Sequence, residues 1–113
     1  MDTLEKTVRF NRLMDFYGEL LNARQQRAAT AYFAENLSLA EIAEETGISR
    51  QGVSDLLSRT EKKLEEFEEK LQLLEKYDKR QELIEKLSAE ITSDNHLSET
   101  LSALTALDNE EEA

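Results

Sequence analysis

Between Thr3 and Tyr17 the apolar residues Leu4, Val8, Leu13, Phe16 and Tyr17 recur with Arg9, Arg12 and Asp15 between them, the rhythm of an amphipathic helix. Gly18 is expected to end that helix, because it adopts left-handed backbone without steric cost. Asn22 followed by Gln25 reads as a capped helix start, and Ala28, Ala31 and Tyr32 carry this second helix to about Glu35. Asn36 and Leu37 link it onward. Ser38 with Glu41 is a capping box, so a short helix is predicted from Leu39 to about Thr46, stopped by Gly47. Ser49 can cap a fourth helix, and from Arg50 nothing in the sequence stops it until about Tyr77.

Along that fourth helix Leu57, Leu64, Phe67, Leu71 and Leu74 form a seam in mostly three- and four-residue steps, which requires a partner. Leu83, Ile84, Leu87 and Ile91 predict a further helix able to fold back. Leu97, Leu101, Leu104 and Leu107 predict a last, weaker one after a break at Ser93-Asp94-Asn95. Residues 1–60 are expected to form the front domain. Residues 61–107 form a helical extension of the same folding unit, and residues 108–113 a disordered acidic tail.

Composition sharpens this picture. Across 113 residues there is no Pro, only three Gly and 35% charged side chains, which favours one domain of long helices, an all-α fold. The formal net charge of -11 is uneven: net -2 over residues 1–60 and net -9 over 61–113. Affinity for nucleic acid rests on Lys and Arg neutralising phosphates, so this balance argues against a strong general binder and leaves room for a local basic face. The chain has no Cys, hence no disulfide, thiolate metal site or thiol nucleophile. No stretch approaches the length of a membrane span and the N-terminal residues lack a signal-peptide core, so the expected location is cytoplasmic.

The most specific signal lies between Leu39 and Leu57. Ala43 stands where two steeply crossing helices come closest, so a large side chain there would force them apart. Gly47 supplies the positive φ that turns the chain between the helices. Ile42, Ile48, Val53 and Leu56 supply the apolar contacts that lock the pair together. The pattern is that of a helix-turn-helix, a shape used for nucleic acid and for protein partners alike.

At 100° per residue, Val53, Leu57, Thr60 and Leu64 project inward from the second helix. Gln51, Asp55, Ser58 and Lys62 form the outward stripe, flanked by Ser54 and Arg59. Arg50 is suited to a bidentate contact with guanine, Gln51 with adenine, and Ser54 to a less selective contact. Arg59, Lys62 and Lys63 are candidates for phosphates and Ser58 for a further nucleic-acid contact, although Glu61, Glu65 and Glu66 stand close enough in sequence to pair with the cations. Asp55 opposes binding, since a carboxylate on the reading face repels phosphates. Arg24 and Arg27 either add phosphate contacts or pair with Glu35 or Asp15.

The run Asn11-Arg12-Leu13-Met14-Asp15-Phe16-Tyr17-Gly18, then Leu37-Ser38-Leu39-Ala40-Glu41-Ile42-Ala43, then Ser49-Arg50-Gln51, then Arg59-Thr60-Glu61-Lys62, resembles the YlxM family of small bacterial proteins. The resemblance covers about residues 5–80. It implies a helix-turn-helix like region 4 of sigma factors, a winged-helix-type core without the wing, followed by a long helix and C-terminal helices. It further implies DNA binding, with contacts on Arg50, Gln51 and Ser54, and a link to the signal recognition particle pathway through gene neighbourhood. Gly52 departs from the Ala the family pattern would place there.

Two readings follow. The first is a DNA-binding regulatory protein, RNA being the other candidate ligand. It acts as a homodimer joined through Leu64, Phe67, Leu71 and Leu74, and is tied to the signal recognition particle pathway. The second is a protein- or RNA-binding adaptor of that particle, docking through its acidic back half without sequence-specific DNA binding. No enzyme, cofactor or metal site is expected: the single histidine, His96, falls in a polar linker, and no carboxylate pair stands apart from the Glu-rich background. Phe10, Phe16, Tyr17, Tyr32 and Phe33 are expected to fill the core.

Overall fold

A computed structural model of the chain describes residues 3–91 and 95–112. Among them every regular element is helical, as expected: α1 (Thr3–Tyr17), α2 (Ala23–Ala29), α3 (Leu39–Thr46), α4 (Arg50–Leu71), α5 (Leu73–Glu90) and α6 (Asn95–Glu112). The chain divides into two units, Met1–Leu71 and Gln72–Ala113.

In the first unit α1 buries Phe10, Leu13 and Tyr17. It ends before Gly18, but without the left-handed backbone expected there. Gly18 begins a short 3-10 turn, Gly18–Leu20, and Gly47 alone among the glycines has positive φ. A Cβ at Gly18 would lie 3.3 Å from Met14 Cε, the flexible end of that side chain, which would have to give by a few tenths of an ångström. The Gln26 amide closes the turn by donating to the carbonyls of Gly18 (2.8 Å) and Leu21 (3.0 Å).

Asn22 caps α2 in a reciprocal box with Gln25. The helix then loosens into a π-helical stretch, Thr30–Ala34, which stacks Phe33 on Phe10 with ring centroids 3.8 Å apart. Ala28 and Ala31 are fully buried beside Ile42, Val53 and Leu57. Small residues there let α2 approach α3 and α4 closely, and the apolar stripe of α4 closes the core.

The uninterrupted helix expected to Tyr77 breaks at Gln72, which adopts left-handed backbone at φ 55°. A single such residue costs on the order of 1–3 kcal/mol, and nothing in the side chain announces it. The first unit ends at Leu71, the last residue of α4. All of α4 belongs to the first unit, because its second half is held by α1: the Tyr17 hydroxyl donates to buried Glu68 at 2.5 Å, and Arg9 grips Glu65.

The four residues expected as a dimer seam differ in their exposure. Leu64 is fully buried and Phe67 lies half-buried beside the Tyr17 ring at 5.8 Å. Leu74 is buried as well, and Leu71 remains exposed. Leu64 and Phe67 face α1 rather than outward, and Leu71 belongs to the first unit while Leu74 belongs to the second.

In the second unit α5 and α6 pack together. Arg80 Nε donates to Asp108 Oδ1 and Gln81 Nε2 to Oδ2, each at 3.0 Å. The stretch expected to be disordered from Asp108 is therefore helical to Glu112, because α5 supplies a guanidinium and an amide to a buried carboxylate. The expected break at Ser93 and Asp94 lies outside the described residues, as does the side chain of His96.

Candidate nucleic-acid interface

Three local devices shape the helix-turn-helix. Ser38 Oγ accepts from the Glu41 N–H while the Glu41 carboxylate accepts from the Ser38 N–H, both at 3.1 Å, which fixes the start of α3. Gly47 ends it at φ 77°, its N–H bonded to the Ala43 carbonyl. Ser49 Oγ accepts from the Gly52 N–H at 2.9 Å and starts α4. Ile42 and Val53 are fully buried, and Ala43, Ile48 and Leu56 pack half-buried on the same core.

The inward face of α4 is the expected one, with Val53, Leu57, Thr60 and Leu64 all buried; the Thr60 hydroxyl donates back to the Leu56 carbonyl at 2.7 Å. Arg50, Gln51, Asp55, Ser58, Arg59 and Lys62 are exposed. Ser54 is half-buried. With Ser58 and Leu57 it lines a groove of about 420 Å³ whose other walls are Lys6 and Thr7 of α1 and the rings of Tyr32 and Phe33. Ser54 therefore stands to one side of the stripe that carries Arg50, Gln51, Asp55 and Lys62. Asp55 does not stand alone on that stripe, since its Oδ1 accepts from the Gln51 amide one turn earlier at 3.0 Å.

The electrostatics could not be read from sequence spacing. Glu65 accepts two bonds from Arg9, and Glu61 lies 3.8 Å from Lys6, so α1 takes up two carboxylates of α4. The charge-assisted bonds hold the Glu65 carboxyl below its usual range and raise Arg9. Arg27, spanning from α2 to α3, is held by Glu35 and Glu45; bonding to these two carboxylates raises its pKa, and the same bond lowers Glu35. Lys63 sits 5.3 Å from the centre of the Phe67 ring. In contrast Arg24, Arg50, Arg59 and Lys62 make no ion pair among the described residues. Three of these four cations lie on α4.

Elsewhere among the described residues no group of three or more acidic or histidine side chains could hold a metal ion. No described helix is long and apolar enough to cross a membrane. Of the aromatic set, Phe10 and Tyr17 are core residues, whereas Tyr32 is partly exposed at the groove.

Comparison with known proteins agrees with this geometry. Residues 4–104 match the family model described as "Putative helix-turn-helix protein, YlxM / p13 like". UPF0122 proteins of Bacillus cereus (strain AH187), Bacillus anthracis (strain A0248) and Bacillus thuringiensis subsp. konkukian (strain 97-27) are each 49% identical to the chain over 98 residues. Each alignment covers 87% of this chain and 89% of the relative. The chain belongs to the YlxM/p13-like helix-turn-helix family.

Proposed function

We propose that the chain binds DNA through α4 as a regulatory protein, with the helix entering the major groove from its N-terminal turns. The observation that carries this reading is the division of charge on α4. Of its acidic neighbours Glu61, Glu65 and Glu66 the first two are engaged by α1, while Arg50, Arg59 and Lys62 make no ion pair among the described residues and keep their charge for a ligand. In this reading Arg50 and Gln51 address base edges at the start of the helix. Arg59 and Lys62, two turns further on, hold phosphates, and Ser54 and Ser58 contribute hydroxyl contacts from the side that borders the groove. Asp55 limits the affinity and makes the protein a selective rather than an indiscriminate binder. No catalytic step is assigned to the chain, and a cytoplasmic setting accords with a DNA ligand.

Fluorescence anisotropy of a labelled duplex at low salt tests the reading. Binding that weakens on Arg50→Ala supports it; no binding, or indifference to Arg50→Ala, removes it.

The acidity of residues 72–113, eleven Asp and Glu against four Lys and Arg, favours one other reading. In that reading the chain is an adaptor in the signal recognition particle pathway, held by a basic protein or by RNA. Recovery of the tagged chain from cells, with identification of both nucleic acid and protein, separates the two. Recovery of particle components without DNA supports the adaptor.

A further inference from the structure

The second unit leaves most of its leucines exposed. Among the described residues of α5 and α6, Leu74, Tyr77 and Asp108 are buried, Ile84 and Leu101 are half-buried, and Arg80 and Gln81 bond to Asp108. Leu83 is 66% exposed, and Leu87, Leu97, Leu104 and Leu107 are about half exposed. Because Arg80 and Gln81 near the middle of α5 reach Asp108 near the end of α6, the two helices run antiparallel. Their helical periodicity then puts Leu97 and Leu104 on the same side as Leu83 and Leu87. Two helices of this length, each about 27 Å long and about 10 Å across, present a face of the order that one partner contributes to a stable dimer.

The charges on that face indicate what covers it. Lys76, Leu83 and Glu90 stand seven residues apart on α5 and so share one line along the helix. Lys76 and Glu90 are exposed, and neither makes an ion pair among the described residues. A two-fold axis passing Leu83 would lay one α5 antiparallel on another and bring each Lys76 opposite the Glu90 of the other copy. The line is thus complementary to itself reversed, the property of an isologous interface.

We propose that a second copy of this chain covers the leucine face of α5 and α6, the two α5 helices crossing antiparallel at Leu83 with Lys76 paired to Glu90 across the interface. The four helices then share one apolar layer, as in a four-helix bundle. The inference is independent of the nucleic-acid reading. Since the unit is acidic overall, added salt screens repulsion between copies and strengthens the dimer, whereas it would weaken attachment of a basic partner.

Sedimentation velocity of the whole chain tests this. The unsubstituted chain is expected to sediment as a dimer, and Leu83→Glu as a monomer. Lys76→Glu and Glu90→Lys should each weaken the dimer several-fold, and the two together should restore it. All three side chains are exposed, so circular dichroism should show unchanged helix content. A monomeric unsubstituted chain overturns the proposal. So does a dimer indifferent to Leu83→Glu, or a double variant no tighter than its parents.

Discussion

Arg9 on α1 holds Glu65 on α4 through two parallel bonds, Nε to Oε2 at 2.8 Å and a terminal guanidinium nitrogen to Oε1 at 2.7 Å. The pair is half exposed, so its direct contribution to stability is modest, about 1 kcal/mol or less. Its larger consequence is electrostatic. Glu65 lies three residues beyond Lys62, close enough to neutralise it on the helix surface, and Arg9 takes that carboxylate away. Replacing Arg9 with Met should therefore weaken duplex binding although Arg9 lies on α1, outside the stripe that reads DNA. Anisotropy titrations at low salt read this directly, and unchanged affinity would show that Glu65 does not compete for Lys62.

The same pair sets a pH dependence. The Glu65 carboxyl is held below its usual 4.5 in the folded chain, so the unfolded chain binds the proton more readily. The stabilisation is present above the unfolded pKa and is lost as pH falls through the lower folded value. Glu35, lowered by Arg27, behaves in the same sense. Thermal unfolding between neutral and acid pH should show Arg9→Met destabilised at neutral pH and converging on the parent in acid. A difference that persists at low pH would assign the effect to lost packing of the Arg9 stem.

Asp55 accepts the Gln51 amide at 3.0 Å, so the carboxylate both repels phosphate and occupies a side chain suited to adenine. Asp55→Asn keeps an acceptor for Gln51 while removing the charge. Duplex affinity should rise several-fold at low salt and the gain should shrink as salt is added. A loss of affinity would mean instead that Asp55 accepts from a base, cytosine being the base whose amino group it suits.

The turn and the cap make opposite demands of their glycines. Gly47 sits at φ 77° with open space around it, so Gly47→Ala should cost about 1–2 kcal/mol from backbone conformation alone. At Gly52 the backbone is helical, and alanine gains up to about 1 kcal/mol in helix propensity. Its Cβ would meet Ser49 Oγ at 3.2 Å, where that oxygen caps the helix, so the net gain should be smaller. Ile42→Ala, in the closed core, should cost about 2–5 kcal/mol. Urea unfolding of the three variants gives the order Ile42→Ala, Gly47→Ala, parent, Gly52→Ala in rising stability.

What was legible in the sequence was whatever is local. Capping at Asn22, Ser38 and Ser49, the turn at Gly47 and the inward line Val53, Leu57, Thr60, Leu64 all follow from residue types within a few positions of one another. The break at Gln72 was not legible, because glutamine is a good helix former and nothing in its neighbours marks a left-handed residue. The pairing of Arg9 with Glu65 joins residues 56 positions apart, so spacing offered Glu65 to Lys62 instead. Asp108 looked like the start of a solvated tail for the same reason: Arg80, its partner, is 28 residues away. The π-helical turn that aims Tyr32 at the groove left no mark in composition at all.

The central claim is that the unpaired cations of α4 meet phosphate. Each phosphate contact contributes a slope of about -0.9 to log K against log[salt] on duplex DNA. Anisotropy titrations of the parent and of Arg59→Ala/Lys62→Ala over a salt series measure that slope. The double variant should bind more weakly and its slope should be shallower by about two units. An unchanged slope, or a parent that binds no duplex at low salt, would contradict the account.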